Sequence, residues 1–169
     1  EQMDSAFRLA GDSLAVNVLE LPYIFGGAPK RGTLWGYVMD KVRAEGPVPV
    51  SGGTTACVTG EQVAAAAVGA VTWLKGHAAW PIGGENLSYR QIYGHFADAL
   101  GVTPQFVPAD PAAEMAAAEA QRARLGAAGV ETGYDPCDVA RWQQADLGLA
   151  PAPAMAALRY GPDDVASAS

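Results

Sequence analysis

Tyr37 and Lys41 stand four positions apart in the stretch LPYIFGGAPKRGTLWGYVMDK, residues 21–41. On a helix that spacing sets a phenol and an ammonium one turn apart on one face, which is the reach an acid–base pair requires. Spacing alone does not make the pair catalytic, because two common residue types fall four apart easily and a single Y-x-x-x-K carries little specificity. Self-sufficient constellations are missing from the sequence: there is no glycine-flanked serine of the G-x-S-x-G type, no GK[ST] phosphate loop and no G-x-G-x-x-G. His77 and His95 fall on different expected elements, and each is read as a surface or structurally satisfied histidine rather than a base. Cys57 and Cys137 have no second thiol or histidine at ligand spacing. A zinc site or disulfide framework therefore has no support, and both cysteines are expected as small core residues. The glycine pairs at 26, 52 and 83 are turns first. Lys30 and Arg31 form a local basic cluster, read as a solvated loop that could hold one anion.

The elements that must position these groups are legible from patterning. Residues 1–13, EQMDSAFRLAGDS, place Met3, Phe7 and Ala10 on one helical face with no capping residue ahead of them, like the end of a longer helix. LAVNVLEL, residues 14–21, is nearly continuous in apolar residues, the pattern of a strand covered on both faces as in parallel sheets. After a Gly/Pro loop, TLWGYVMDKVRAEG reads as a helix with Leu34, Val38, Lys41 and Val42 near one face and Gly46 at its end. VPV and TACV flank Gly52 and Gly53, suggesting two short strands joined by a tight turn.

Two capping boxes follow. Thr59 with Gln62 precedes an apolar helix running to Lys75 and stopped by Gly76, and Ser88 with Gln91 opens a helix whose stripe continues through Ile92, Phe96 and Leu100 to Gly101. Between them AAWPIGG reads as a short strand ending in glycines. PQFVP reads as a further strand; Asp110–Pro111 and Asp135–Pro136 each open a helix as cap followed by proline. Residues 163–169 are small and polar and are expected to form a flexible tail behind a single domain spanning 1–162.

Composition narrows the class. The 169 residues are half hydrophobic and 17% charged, so a packed core is expected rather than disorder. A formal net charge of −7 repels phosphate backbones and makes nucleic acid a poor general partner. No uncharged apolar run is long enough to span a bilayer, and the first residues lack a signal-peptide pattern, so a cytoplasmic setting without a membrane partner is expected.

Several segments, in order, resemble the C-terminal part of the extended short-chain dehydrogenase/reductase family, also called the NAD-dependent epimerase/dehydratase family. LAVNVLELPYIFGG resembles the sixth Rossmann strand and the turn leaving it. TACVTGEQVAAAAVGAV resembles the later short strand that leads into an alanine-rich helix. HAAWPIGGENLSYRQIYGHFADALGVTPQFVP is similar to the final sheet strand, the serine-capped helix and the strand after it, and VARWQQADLGLAP resembles the closing leucine-glycine-proline segment.

This resemblance covers residues 1 to about 160 and implies an α/β fold: the C-terminal part of a Rossmann-like NAD(P)-binding fold together with its helical substrate-binding region. In the family the catalytic tyrosine and lysine precede the sixth strand, whereas Tyr37 and Lys41 follow it, so the resemblance makes them a coincidence and leaves this chain with no catalytic residue of its own. It implies a fragment lacking the dinucleotide loop and the catalytic pair. In the complete protein NAD or NADP is implied, with Pro22, Tyr23 and Ile24 at the nicotinamide end. Phe25, Lys30, Arg31 and Trp35 would serve a small-molecule substrate, the pocket being lined by residues 27–35 and 48–58. A homodimer through the helix ending near residue 10 is implied as well. TTACVTG departs from the nucleotide-sugar epimerase pattern in lacking its arginine and aspartate, so a pyrophosphate would lose its expected bidentate partner. A smaller carbonyl or alcohol is the favoured substrate. The rival readings are a non-catalytic NAD(P) sensor of the same fold and a protein-interaction module.

Overall fold

The computed structural model describes residues 2–27 and 34–168. In chain order the elements begin with helix α1 (Gln2–Ala10), strands β1 (Asn17–Glu20) and β2 (Tyr23–Phe25), helix α2 (Gly36–Arg43), and strands β3 (Pro47–Val50) and β4 (Thr54–Thr59). Helix α3 (Gly60–Trp73), strands β5 (Ala78–Pro81) and β6 (Glu85–Ser88), helix α4 (Tyr89–Leu100) and strand β7 (Gln105–Pro108) follow. Helices α5 (Pro111–Ala127) and α6 (Pro136–Trp142), strand β8 (Asp146–Leu147) and helix α7 (Ala152–Leu158) complete the order. The architecture is α/β, and the strand pairings with a described register are parallel.

The chain forms two compact units, Glu1–Pro29 with Ala56–Asn86 and Leu149–Ser169, and Lys30–Thr55 with Leu87–Gly148. Each is discontinuous in sequence, which is why no linker separates them along the chain and a single domain was the sequence expectation.

In the first unit β1 runs parallel to β5 and β2 runs parallel to the end of β4. Its core gathers Ala66, Ala70, Ile82, Ala154, Leu158 and Tyr160, with Leu19, Trp80 and Met155 packed against them. Burying a side chain such as Ile82 or Leu158 contributes about 1.5–3 kcal/mol. α3 lies on α7 so closely that Gly69 has no room for a side chain. His77 is a satisfied structural histidine: Val16 N–H donates to Nδ1 at 3.2 Å and Nε2 lies 2.7 Å from the Gly11 carbonyl, while the ring stacks on Phe7.

The β1 segment differs from expectation. The strand is only Asn17–Glu20, and Leu14 and Leu21 are 62% and 50% exposed. Among the described residues β1 has one neighbour, β5, so only one edge of the expected buried strand is covered.

In the second unit α2 packs on α4, bringing Val38 and Val42 together with an α4 that buries Ile92 and Phe96. Strand β3 pairs with β7, its valines inward and its prolines outward, a period of two that keeps the missing proline N–H groups on the exposed positions. α5 and α6 close over Ala118, Cys137 and Ala140. Both cysteines are buried and free, as core residues should be.

The turn expected at Gly52–Gly53 does not make a hairpin. β3 pairs with β7, while the start of β4 pairs with β8. Gly53 is required for another reason: its N–H donates to the Gln143 carbonyl at 2.9 Å, and a Cβ there would come within 2.3 Å of the Ala145 carbonyl oxygen. The glycine permits a close backbone crossing. Helix starts agree with the reading from residues. Thr59/Gln62 and Ser88/Gln91 form complete capping boxes, and Asp110 and Asp135 accept from the N–H of Ala112 and Cys137.

Candidate functional site

Parallel strands deliver their C-terminal ends to one edge, where ligands collect in open α/β sheets. In the first unit β2 and β4 are paired with Phe25 opposite Thr59, so both strands stop at the same level. Beyond Phe25 the chain turns through Gly26, whose φ of 116° is strained for any residue with a side chain. Beyond Thr59, α3 begins at once. An open cavity of about 530 Å³ lies between these ends, lined by Ile24–Gly27, by Thr59–Glu61 and by Asp163, Asp164, Ser167 and Ala168.

The walls are tied to one another by hydrogen bonds. The Thr59 hydroxyl accepts from Gln62 N–H at 3.1 Å and donates to Asp163. Buried Gln62 returns its Oε1 to Thr59 N–H at 3.1 Å and donates from Nε2 to the Gly161 carbonyl at 3.0 Å. Asp163 also accepts from Asp164 N–H, and Asp164 accepts from Ala166 N–H and the Ser167 hydroxyl. The tail expected to fray is thus bonded to the start of α3, and Val165 within it is buried. Just ahead of it, Tyr160 is locked by its hydroxyl, which donates to Gly83 O at 2.8 Å and accepts from Gly83 N–H at 3.1 Å.

Three carboxylates, Glu61, Asp163 and Asp164, line the cavity, and the described lining residues include no cation. The positive end of the α3 dipole is already matched by acidic groups. An additional phosphate would meet repulsion here, whereas hydroxyl, amide and carbonyl groups would find donors and acceptors.

The residues singled out in sequence fall as follows. Ile24 and Phe25 line this cavity, Phe25 with its side chain buried; Pro22, just ahead of β2, and Tyr23, its first residue, lead into it and are half-buried. Trp35 belongs to the second unit, where it stacks on Tyr37 at a ring separation of 6.3 Å and meets Phe96 at a tilt at 5.5 Å. Lys30 and Arg31 lie outside the described residues. Of positions 27–35 and 48–58, Gly27 is a cavity-lining residue. Thr59, Gly60, Glu61 and the 163–168 segment were not anticipated as site residues. The strand-to-capping-box junction at Thr59 could have flagged the first three; nothing in the small polar tail marks the rest.

Tyr37 and Lys41 do sit one turn apart on α2, but Lys41 turns to a different phenol. Its Nζ donates to the Tyr93 hydroxyl at 3.3 Å and lies 5.7 Å from the Tyr93 ring centroid. Tyr37 is half exposed beside Trp35.

A second cavity, of about 430 Å³, lies in the other unit between the end of α5 and the start of α6. Arg122 and Asp135 form an ion pair at 3.2 Å on its wall. The Cys137 N–H holds the Asp135 carboxyl below the usual carboxylate range, with help from Arg122, and burial pushes the Cys137 thiol up. A protonated thiol is a poor nucleophile.

No family model and no curated protein matches this sequence. Solved structures do. The protein gox2253 superposes with a TM-score of 0.67 at 18% identity, over 98% of this chain and 50% of its own. RMD from Pseudomonas aeruginosa, complexed with NADPH, gives 0.61 at 12% identity over 98% of this chain and 50% of its own. UDP-glucose 4-epimerase from Thermotoga maritima, with UDP-glucose, gives 0.59 at 15% identity over 99% and 47%. The chain spans about half the length of the solved structures it matches. Likeness at these identities is one of fold, and the fold is Rossmann-like, of the kind seen in the epimerases. Among the described residues no helix is long and apolar enough to cross a membrane.

Proposed function

We propose that this chain is the C-terminal, substrate-binding portion of an NAD(P)-dependent epimerase/dehydratase-like oxidoreductase acting on a small carbonyl or alcohol. The observation that carries the reading is the cavity at the in-register ends of β2 and β4, in a fold shared with nucleotide-dependent enzymes over about half their length. Its volume lies within the range of small-molecule sites.

The dinucleotide, when bound, supplies hydride transfer. Toward it this chain offers the strand exit Pro22–Tyr23–Ile24 and, just beyond Phe25, the bend at Gly26, which carries no Cβ. Such a wall suits the neutral amide end of a nicotinamide, and the three carboxylates around Thr59 do not suit a pyrophosphate. In this reading Phe25 fixes the floor beneath the substrate. The acidic lining and the absence of the arginine and aspartate from TTACVTG both favour an uncharged substrate over a sugar nucleotide.

The test is a fluorescence titration of NADH and NADPH against the isolated 169 residues and against the polypeptide extended by its upstream reading frame. Binding is expected for the extended protein alone, and Gly26→Val should weaken it by filling the bend. Tight binding by the isolated chain, or none by the extended one, overturns the assignment.

A further inference from the structure

The cavity at the ends of β2 and β4 has one wall that no sheet strand or α-helix provides. Residues 161–168 form it, through Asp163, Asp164, Ser167 and Ala168. Apart from a 3-10 turn at Ala166–Ala168 this segment has no regular structure, and it is exposed except for the fully buried Val165 and the half-buried Ala168.

Its shape comes from its own groups. Asp163 accepts from the Asp164 N–H at 2.9 Å, and Asp164 accepts from the Ala166 N–H at 3.0 Å and the Ser167 hydroxyl at 2.6 Å. The Val165 carbonyl accepts from the Ala168 N–H at 3.1 Å. Two ties to the body run through side chains at the start of α3: Gln62 Nε2 donates to the Gly161 carbonyl at 3.0 Å, and the Thr59 hydroxyl donates to Asp163 at 2.5 Å. A turn closed on itself keeps its form when it lifts. Lifting breaks the Thr59–Asp163 bond and uncovers Val165, while Gln62 can keep hold of Gly161 at the root. Thr59 and Gln62 meanwhile remain in their capping box, so the body is the same before and after. A segment with one buried apolar anchor and no strand ladder opens at lower cost than the core it rests on.

We infer that residues 162–168 are a strap that swings about Gly161, is latched by Asp163 on Thr59, and closes on the ligand of the cavity. Closed, it sets Asp164 and Ser167 beside that ligand; open, it withdraws them. A ligand that touches the strap as well as the strand ends binds the closed form better and holds the strap down. The closing on a ligand rests on the proposed cofactor and substrate site, whereas the opening does not.

The test replaces Val165 by cysteine, so that a thiol reports when the strap lifts. Cys57 and Cys137, buried in the body, are internal references. An aromatic disulfide reagent should reach the new thiol in the 169-residue chain about 100-fold faster than it reaches Cys57 and Cys137. Asp163→Ala removes the latch and should speed that labelling about tenfold, with the two native thiols unchanged. In the polypeptide extended by its upstream reading frame, NADH at about ten times its Kd should slow it about tenfold. Should Val165→Cys disturb folding, hydrogen exchange at the Ala166 and Ala168 amides of the otherwise unchanged chain reads the same opening. Labelling or exchange at the rate of global unfolding, indifference to Asp163→Ala, or no slowing by NADH that is bound overturns the inference. NADH binding is measured separately by fluorescence. If none occurs the cofactor reading fails, and the rates in the 169-residue chain still decide whether the strap opens.

Discussion

Replacing Gly69 by alanine probes how the first unit is locked. α3 and α7 meet there backbone to backbone, and an added Cβ would stand 1.7 Å from the Leu158 carbonyl oxygen and 2.6 Å from its carbonyl carbon. Relief requires the end of α7 to shift by more than an ångström. Leu158 is fully buried, and the next residue, Arg159, is held at φ 56°, so neither neighbour gives way cheaply. Overpacking of this severity costs about 3 kcal/mol. Alanine's better helix propensity returns about 1 kcal/mol, leaving a net loss of about 2 kcal/mol. For a chain of this size that lowers Tm by roughly 4–8 °C. Gly94, inside α4, is the control, because nothing lies within 4 Å of its added Cβ. There the same substitution should stabilise by about 0.5–1 kcal/mol. Thermal and urea unfolding followed by circular dichroism give both values. A Gly69→Ala variant as stable as wild type or more so, or two variants that move in the same direction, would refute the close α3–α7 contact.

Tyr160→Phe leaves the Gly83 N–H and carbonyl without their buried partner and should cost about 1–3 kcal/mol in urea unfolding; a neutral result would show that water replaces the hydroxyl. Asp146 accepts from the Thr54 hydroxyl and the Gly148 N–H, which hold its carboxyl below the usual range. A lowered folded value means its contribution is complete above the ordinary carboxylate pKa and is lost as pH falls through the folded one. Asp146→Asn should therefore flatten the acid limb of the stability profile, and unchanged curvature between pH 5 and about 2.5 would contradict this. Neither cysteine is accessible, and burial keeps the Cys137 thiol protonated. Aromatic disulfide reagents should label both thiols only at the rate of unfolding, whereas immediate labelling would show that the α5–α6 contact opens readily.

Capped helix starts were legible in the residues because they depend on local chemistry. A hydroxyl or carboxylate one position ahead of the first turn satisfies the same backbone N–H groups wherever the helix packs, as Thr59, Ser88, Asp110 and Asp135 all do. Strand partnership was not legible. Gly52–Gly53 has the composition of a hairpin turn, yet β3 and β4 pair with β7 and β8, brought alongside from far along the chain.

By itself the sequence determined the helix caps and the buried cysteines, and its family resemblance carried the α/β class. Tertiary structure alone decided that Thr59, Asp163 and Asp164 close around the strand exit at Phe25, that Lys41 answers to Tyr93 rather than Tyr37, and that one side of α3 is left bare. The reason is range. Caps and periodicity act within a few residues, whereas the Thr59–Asp163 and Lys41–Tyr93 contacts join positions 104 and 52 apart and exist only once the chain has folded back on itself.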